Sequence, residues 1–143
     1  MREFKFRIWD IENKMWMTKY FYPDQDYYAW INNKVVRFLV SLDWIIDHPK
    51  FWTIQQFTGL FDKNGREIYE GDIIRRMYGM NQKYIKNAEI MFGECPEDNE
   101  DDGNFIGWYI NYLGNNWGKA SLYDEKDYIE VIGNIFENPE LLK

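Results

Sequence analysis

Residues 55–74 read Gln-Gln-Phe-Thr-Gly-Leu-Phe-Asp-Lys-Asn-Gly-Arg-Glu-Ile-Tyr-Glu-Gly-Asp-Ile-Ile, a passage written in turn chemistry rather than catalytic chemistry. Asn64-Gly65 stands between Lys63 and Arg66, and two consecutive residues that tolerate positive φ predict a tight hairpin whose strands do not splay. Glu70-Gly71-Asp72 makes a second corner, with the Asp72 side chain expected to cap the turn's own backbone groups. Between the corners Arg66–Tyr69 suffices for a short strand, and Asp72–Tyr78 runs on as a longer one. Corners this close together bend a sheet sharply.

Upstream, Phe51–Phe57 leads into the corners as a strand, and Glu3–Trp9 alternates polar and apolar residues. That alternation puts Phe4, Phe6 and Ile8 on one face of a half-buried strand, with Glu3, Lys5 and Arg7 on the other. Asp10–Lys14 supplies a turn and Met15–Tyr20 a returning strand; such a hairpin is marginal in water and needs a partner sheet. Asp24–Ile31 reads either as a helical turn or as a tyrosine-rich loop, while Lys34–Val40 is β-rich. Leu42–His48 predicts a short helix with Asp43 near its start, ended by Pro49.

Downstream, Tyr84–Phe92, Phe105–Tyr112 and Tyr128–Ile135 read as strands bounded by turn residues. This spacing suits a small antiparallel barrel, and a Gly-Asp-Ile-Ile corner entering a bent strand is similar to SH3-type barrels. The expectation is a mainly β chain with little helix. It forms one domain, with an amino-terminal β subdomain over 1–56 and an SH3-like barrel over 57–143. The closing Leu141 and Leu142 should dock on the barrel or on a neighbour.

A chain of 143 residues can bury about 70% of its unfolded surface and needs no metal or disulfide to hold a core. Its single cysteine, Cys95, excludes an intramolecular disulfide and fits a reducing cytoplasm, while an intermolecular bridge stays open. Cys95 reads as a free thiol rather than a nucleophile, since the only histidine, His48, belongs to another segment. The start, Met1-Arg-Glu-Phe-Lys5, lacks the apolar run of a signal peptide, and no segment approaches the ~18 apolar residues of a membrane helix. A soluble cytoplasmic protein is expected.

Aromatic residues make up 20% of the chain and keep company with β-branched ones, which favours strands. Many fall at alternate positions and so read as core rather than as a base-stacking surface. The formal charge of −7 repels phosphate at long range and argues against nonspecific nucleic-acid binding. Arg75, Arg76, Lys83 and Lys86 are too scattered for a basic patch and read as solvated strand faces.

Three passages carry a resemblance. Phe57–Ile74 resembles the central signature of the YopX-like family of phage and prophage proteins. Arg2–Asp10, followed by Asn13-Lys14-Met15, is similar to that family's amino-terminal motif. Glu130–Leu142, reading Glu-Val-Ile-Gly-Asn-Ile-Phe-Glu-Asn-Pro-Glu-Leu-Leu, is similar to its closing motif. The matches stand in the family's order across the whole chain. The resemblance implies a phage or prophage origin, hence the cytoplasm of a bacterial host, and points the same way on the barrel. It brings no activity and no catalytic residues with it.

The acidic run Glu97-Asp-Asn-Glu-Asp-Asp102 is the most conspicuous local feature. Asp98, Glu100, Asp102 and Gly103 imitate the opening of a calcium loop, but the position that needs a bidentate glutamate is Tyr109. The run therefore reads as a solvated hairpin loop. Glu67, Glu70, Asp72 and Asp124–Asp127 show no spacing that marks an acid–base pair. Phosphate loop, dinucleotide fingerprint, histidine–cysteine cluster and nucleophile elbow are all missing from the sequence. No enzyme, cofactor or metal site is expected.

Two functions remain open. One is a nonenzymatic module that engages a protein, such as a host factor, through exposed rings in an acidic field. Mimicry of nucleic-acid charge is a variant of it. The other is a nucleic-acid-binding barrel, which rests on fold-level analogy and is opposed by the net charge. For the module, Glu97, Asp98, Glu100, Asp101 and Asp102 are the candidates for steering a basic partner, and Trp30 and Trp117 for anchoring it. The structural alternative for both rings is packing against the barrel. Partner identity and self-association stay open.

Overall fold

The computed structural model describes residues 5–18, 27–31, 34–38, 47, 49–78, 84–95, 105–112 and 118–143. The chain divides into two compact units, Met1–Phe57 and Thr58–Lys143.

In the first unit, β1 (Phe6–Asp10) pairs antiparallel with β2 (Met15–Thr18) and with the opening of β5 (Trp52–Phe61). The Asp10 carboxylate closes the first hairpin by accepting from the Asn13 backbone N–H at 2.8 Å and from its side-chain amide at 2.9 Å. Lys14 then takes a left-handed φ of 53°. The half-buried strand expected here is buried on both faces, since the neighbours Ile8 and Trp9 are 3% and 5% exposed. Trp9 meets Trp16 edge-on at 4.9 Å. Arg7 lays its guanidinium 4.4 Å from the Trp16 ring centroid and donates to Gln55 Oε1 at 2.8 Å. A cation can share that face because the ring and the amide take its charge and a donor.

Tyr27–Ile31 forms β3 and pairs antiparallel with β4 (Lys34–Phe38). Over Tyr27–Ile31 this corrects the reading of Asp24–Ile31 as a helical turn or a tyrosine-rich loop; residues 24–26 lie outside the described ones. Trp30 lies opposite Val35 and Tyr27 opposite Phe38 in the register, so residue types of high β propensity occupy both strands. The helix read over Leu42–His48 lies outside the described residues but for Asp47.

In the second unit the end of β5 is bonded to β6 (Glu67–Tyr69). β7 (Asp72–Tyr78), β8 (Tyr84–Cys95), β9 (Phe105–Asn111), β10 (Lys119–Ser121) and β11 (Ile129–Asn134) form an antiparallel sheet in the order β10-β9-β8-β7-β11. A four-residue helix, α1 (Leu122–Glu125), follows β10. The mainly β fold with little helix is as expected. The sheet is an open, curled half-barrel, and SH3-like closure does not follow from this strand order.

The largest fully buried members of the core are Ile68, Ile74, Ile90, Ile110 and Ile129 from the strands with Leu122 from α1. Each contributes about 2 kcal/mol of burial. The β-branched residue serves the strands and the γ-branched one the helix, in line with the stiffness of each side chain.

Both corners are present, with a change at the first. Gly65 has φ 77° and Gly71 φ 71°, but Asn64 does not enter the left-handed region. The Gly65 N–H bonds Asp62 O at 2.9 Å and the Asp62 N–H bonds Arg66 O at 2.9 Å. The connection is therefore a longer hairpin loop over Asp62–Arg66 with one left-handed glycine, rather than a two-residue turn. The reason lies in Asp62, whose carboxylate gathers the N–H groups of Asn64 and Arg66 at 2.8 and 2.9 Å. At the chain end, Leu141 O accepts from Asn87 Nδ2 at 2.9 Å, so the tail docks on β8.

Candidate functional site

The aspartates of the corners hold the fold together. Asp62 is 5% exposed and extends its other oxygen to the Val131 N–H at 2.9 Å, tying the first corner to β11. Arg66 reinforces the tie through Val131 O at 3.2 Å. Asp72 accepts from the Tyr69 N–H at 2.8 Å, the turn cap expected of it, and from Asn134 Nδ2 at 3.3 Å. With their lone pairs turned to backbone and amide donors, these carboxylates are stitches between segments.

Two other carboxyls are perturbed. Burial, then the nearby charge of Glu70, raises the pKa of Glu89. Burial also raises that of Glu125, against the pull of Arg76 at 2.6 Å, with Asp124 adding to the rise. Among the described residues no three His, Cys, Asp or Glu side chains gather as metal ligands would.

A surface of a different character lies at one end of β8 and β9. Ile90 faces Ile110, Phe92 faces Trp108 and Glu94 faces Ile106 in register. Residues two apart on a strand share a face, so the apolar stripe that begins in the core runs on past its end. Ile90 and Ile110 are wholly buried, whereas Phe92 is 54% and Ile106 79% exposed. Phe92 and Trp108 meet edge to face at 4.8 Å. Tyr123 of α1 adds a further ring, 69% exposed.

Beside this stripe is a groove of about 320 Å³ lined by Thr58, Leu60, Phe105, Gly107, Trp108, Ser121 and Tyr123. No lining residue is charged. The Trp108 indole N–H is buried and makes no hydrogen bond, and the Thr58 hydroxyl is occupied by Ile68 O at 2.8 Å and the Leu60 N–H at 3.1 Å. An apolar trough of this kind is suited to binding, and its lining holds no nucleophile–base pair.

The family model described as YopX protein matches residues 5–143. The chain belongs to the YopX family. The crystal structure of protein EF1440 from Enterococcus faecalis is similar over 100% of both chains, with 27% identity and a TM-score of 0.55. No curated protein matches the chain. In this YopX-family chain the central and closing motifs meet at Asp62–Val131 and Asp72–Asn134, and the amino-terminal motif builds the Arg7–Trp16–Trp9 stack. All three motifs thus do structural work.

Of the partner-binding candidates singled out in the sequence, only Trp30 is among the described residues. Trp30 stands opposite Val35 in the register of β3 and β4, in the first unit. Trp117 and the acids Glu97, Asp98, Glu100, Asp101 and Asp102 lie outside the described residues. Phe92, Ile106 and Tyr123 were missed as exposed groups. Their one signal was Phe105-Ile-Gly-Trp108, where large apolar residues at adjacent positions cannot all face one core.

Proposed function

We infer that this chain is a nonenzymatic protein-binding module encoded by a phage or prophage and acting in the cytoplasm of its bacterial host. The observation that carries the reading is the run of exposed apolar side chains, Phe92, Ile106 and Tyr123, along an uncharged groove. Aromatic groups beside a pocket supply the anchors from which protein interfaces draw most of their energy. The surrounding charge of −7 favours a basic partner and disfavours nucleic acid. Membership of the YopX family supports the phage assignment, and no helix among the described residues is long and apolar enough to cross a membrane.

The test is photocrosslinking in bacterial cells, with a reactive phenylalanine analogue at Tyr123 and, as a control, at Phe51, an exposed ring of the first unit. A discrete protein adduct is expected at position 123 and not at 51, and Ile106→Asp should remove it. Absence of an adduct at 123, or an adduct with nucleic acid, would overturn the reading.

A further inference from the structure

The geometry points to an extended, basic polypeptide segment as the ligand of this surface, bound by strand addition to the free edge of β9. The proposal rests on the reading of the surface as a protein-binding face and names what that face takes. Along an antiparallel strand, successive residues turn their main-chain groups to alternate edges. The Tyr112 N–H bonds Gly118 O at 3.2 Å, on the β10 side. Ile110, Trp108 and Ile106 therefore turn theirs the same way. Ile110 lies opposite Ala120, but β10 ends at Ser121, where the chain turns into α1. The main-chain groups of Trp108 and Ile106 thus face an edge that no described strand pairs.

Unpaired main-chain donors and acceptors in a row are met by another extended backbone, the basis of β-strand addition. The groove runs beside this edge, so alternate side chains of an added strand have Leu60, Phe105 and Trp108 to pack on. Charge selects the segment. Glu94, opposite Ile106, and Asp124, next to Tyr123, are exposed acids, while Lys126 near Tyr123 is held by Asp127 at 2.8 Å. A second copy of a chain carrying −7 would be repelled where a basic strand is drawn in.

The test selects binders to the full chain from a displayed library of random dodecapeptides, then measures amide exchange at Ile106 and Trp108 with the best synthetic peptide. Enriched peptides should alternate apolar residues with Lys or Arg and slow exchange at both amides. N-methylation of alternate peptide residues should weaken binding about tenfold or more, as should Ile106→Pro, whose melting stays near wild type because the lost N–H is not in the ladder. Peptides that bind without protecting the two amides, or equally well when methylated, overturn strand addition and leave the protein-binding reading intact. Failure to enrich any peptide, enrichment of acidic ones, or concentration-dependent protection of the edge without peptide overturns the proposal as well.

Discussion

Asp62 joins three segments through one carboxylate, accepting from Asn64, Arg66 and Val131. Asp62→Ala leaves the buried Val131 N–H without its acceptor and unties the loop at Asn64 and Arg66, and should cost about 3 kcal/mol. Asp62→Asn should recover only part of this, since an amide nitrogen then faces an N–H; denaturant unfolding separates the three proteins. Gly65→Val and Gly71→Val force a β-branched residue to φ near 77° and 71° and should each cost about 2 kcal/mol. Lys63→Ala loses only a half-exposed pair with Glu130, so its melting curve should stay near wild type. At Glu89 the folded pKa is raised by burial and by Glu70. The folded state then holds a proton the unfolded state has released, so the contribution is present below the unfolded pKa and lost as pH rises through the folded one. Glu89→Gln should raise the melting temperature at neutral pH and remove that part of the acid-to-neutral decline, read as the wild-type minus variant difference across a pH series.

At the scale of elements, β9 is two strands in one. Ile110 lies wholly in the core and Ile106, on the same face, is 79% exposed. Ile110→Ala should cost about 3 kcal/mol, while Ile106→Ala should fall within about 0.5 kcal/mol of wild type, as thermal melts of both will show. Strand identity was legible wherever alternation and turn residues agreed, as in Asp72–Tyr78, which is β7 from end to end. It was not legible over Lys119–Glu125, where a three-residue strand passes straight into a four-residue helix, because neither is long enough to show a period. Nor was the turn at Asn64-Gly65 legible in full. The dipeptide favours a two-residue turn, and the contacts that override it come from Asp62 and from Val131, far away in sequence.

For the molecule as a whole, the apolar surface was illegible because it depends on register: only the pairing of Phe92 with Trp108 and Glu94 with Ile106 shows which residues outrun the core. Charge, by contrast, is a sum and could be read directly, and the structure adds where the cations are spent. Arg76 lies against Glu125 at 2.6 Å and over the Tyr128 ring at 5.5 Å, and Lys63 meets Glu130 at 3.1 Å. A phosphate backbone arriving at these groups would have to displace carboxylates of the same chain and approach a net charge of −7. Each displaced pair removes a counterion-release gain that DNA binding draws on. The expected result is no binding of a short duplex at physiological salt in a fluorescence anisotropy titration, with no recovery at about 50 mM salt beyond weak association. Tight binding that weakens steeply as salt is added would mean that a basic surface outweighs this balance, and it would turn the functional reading from a protein partner to nucleic acid.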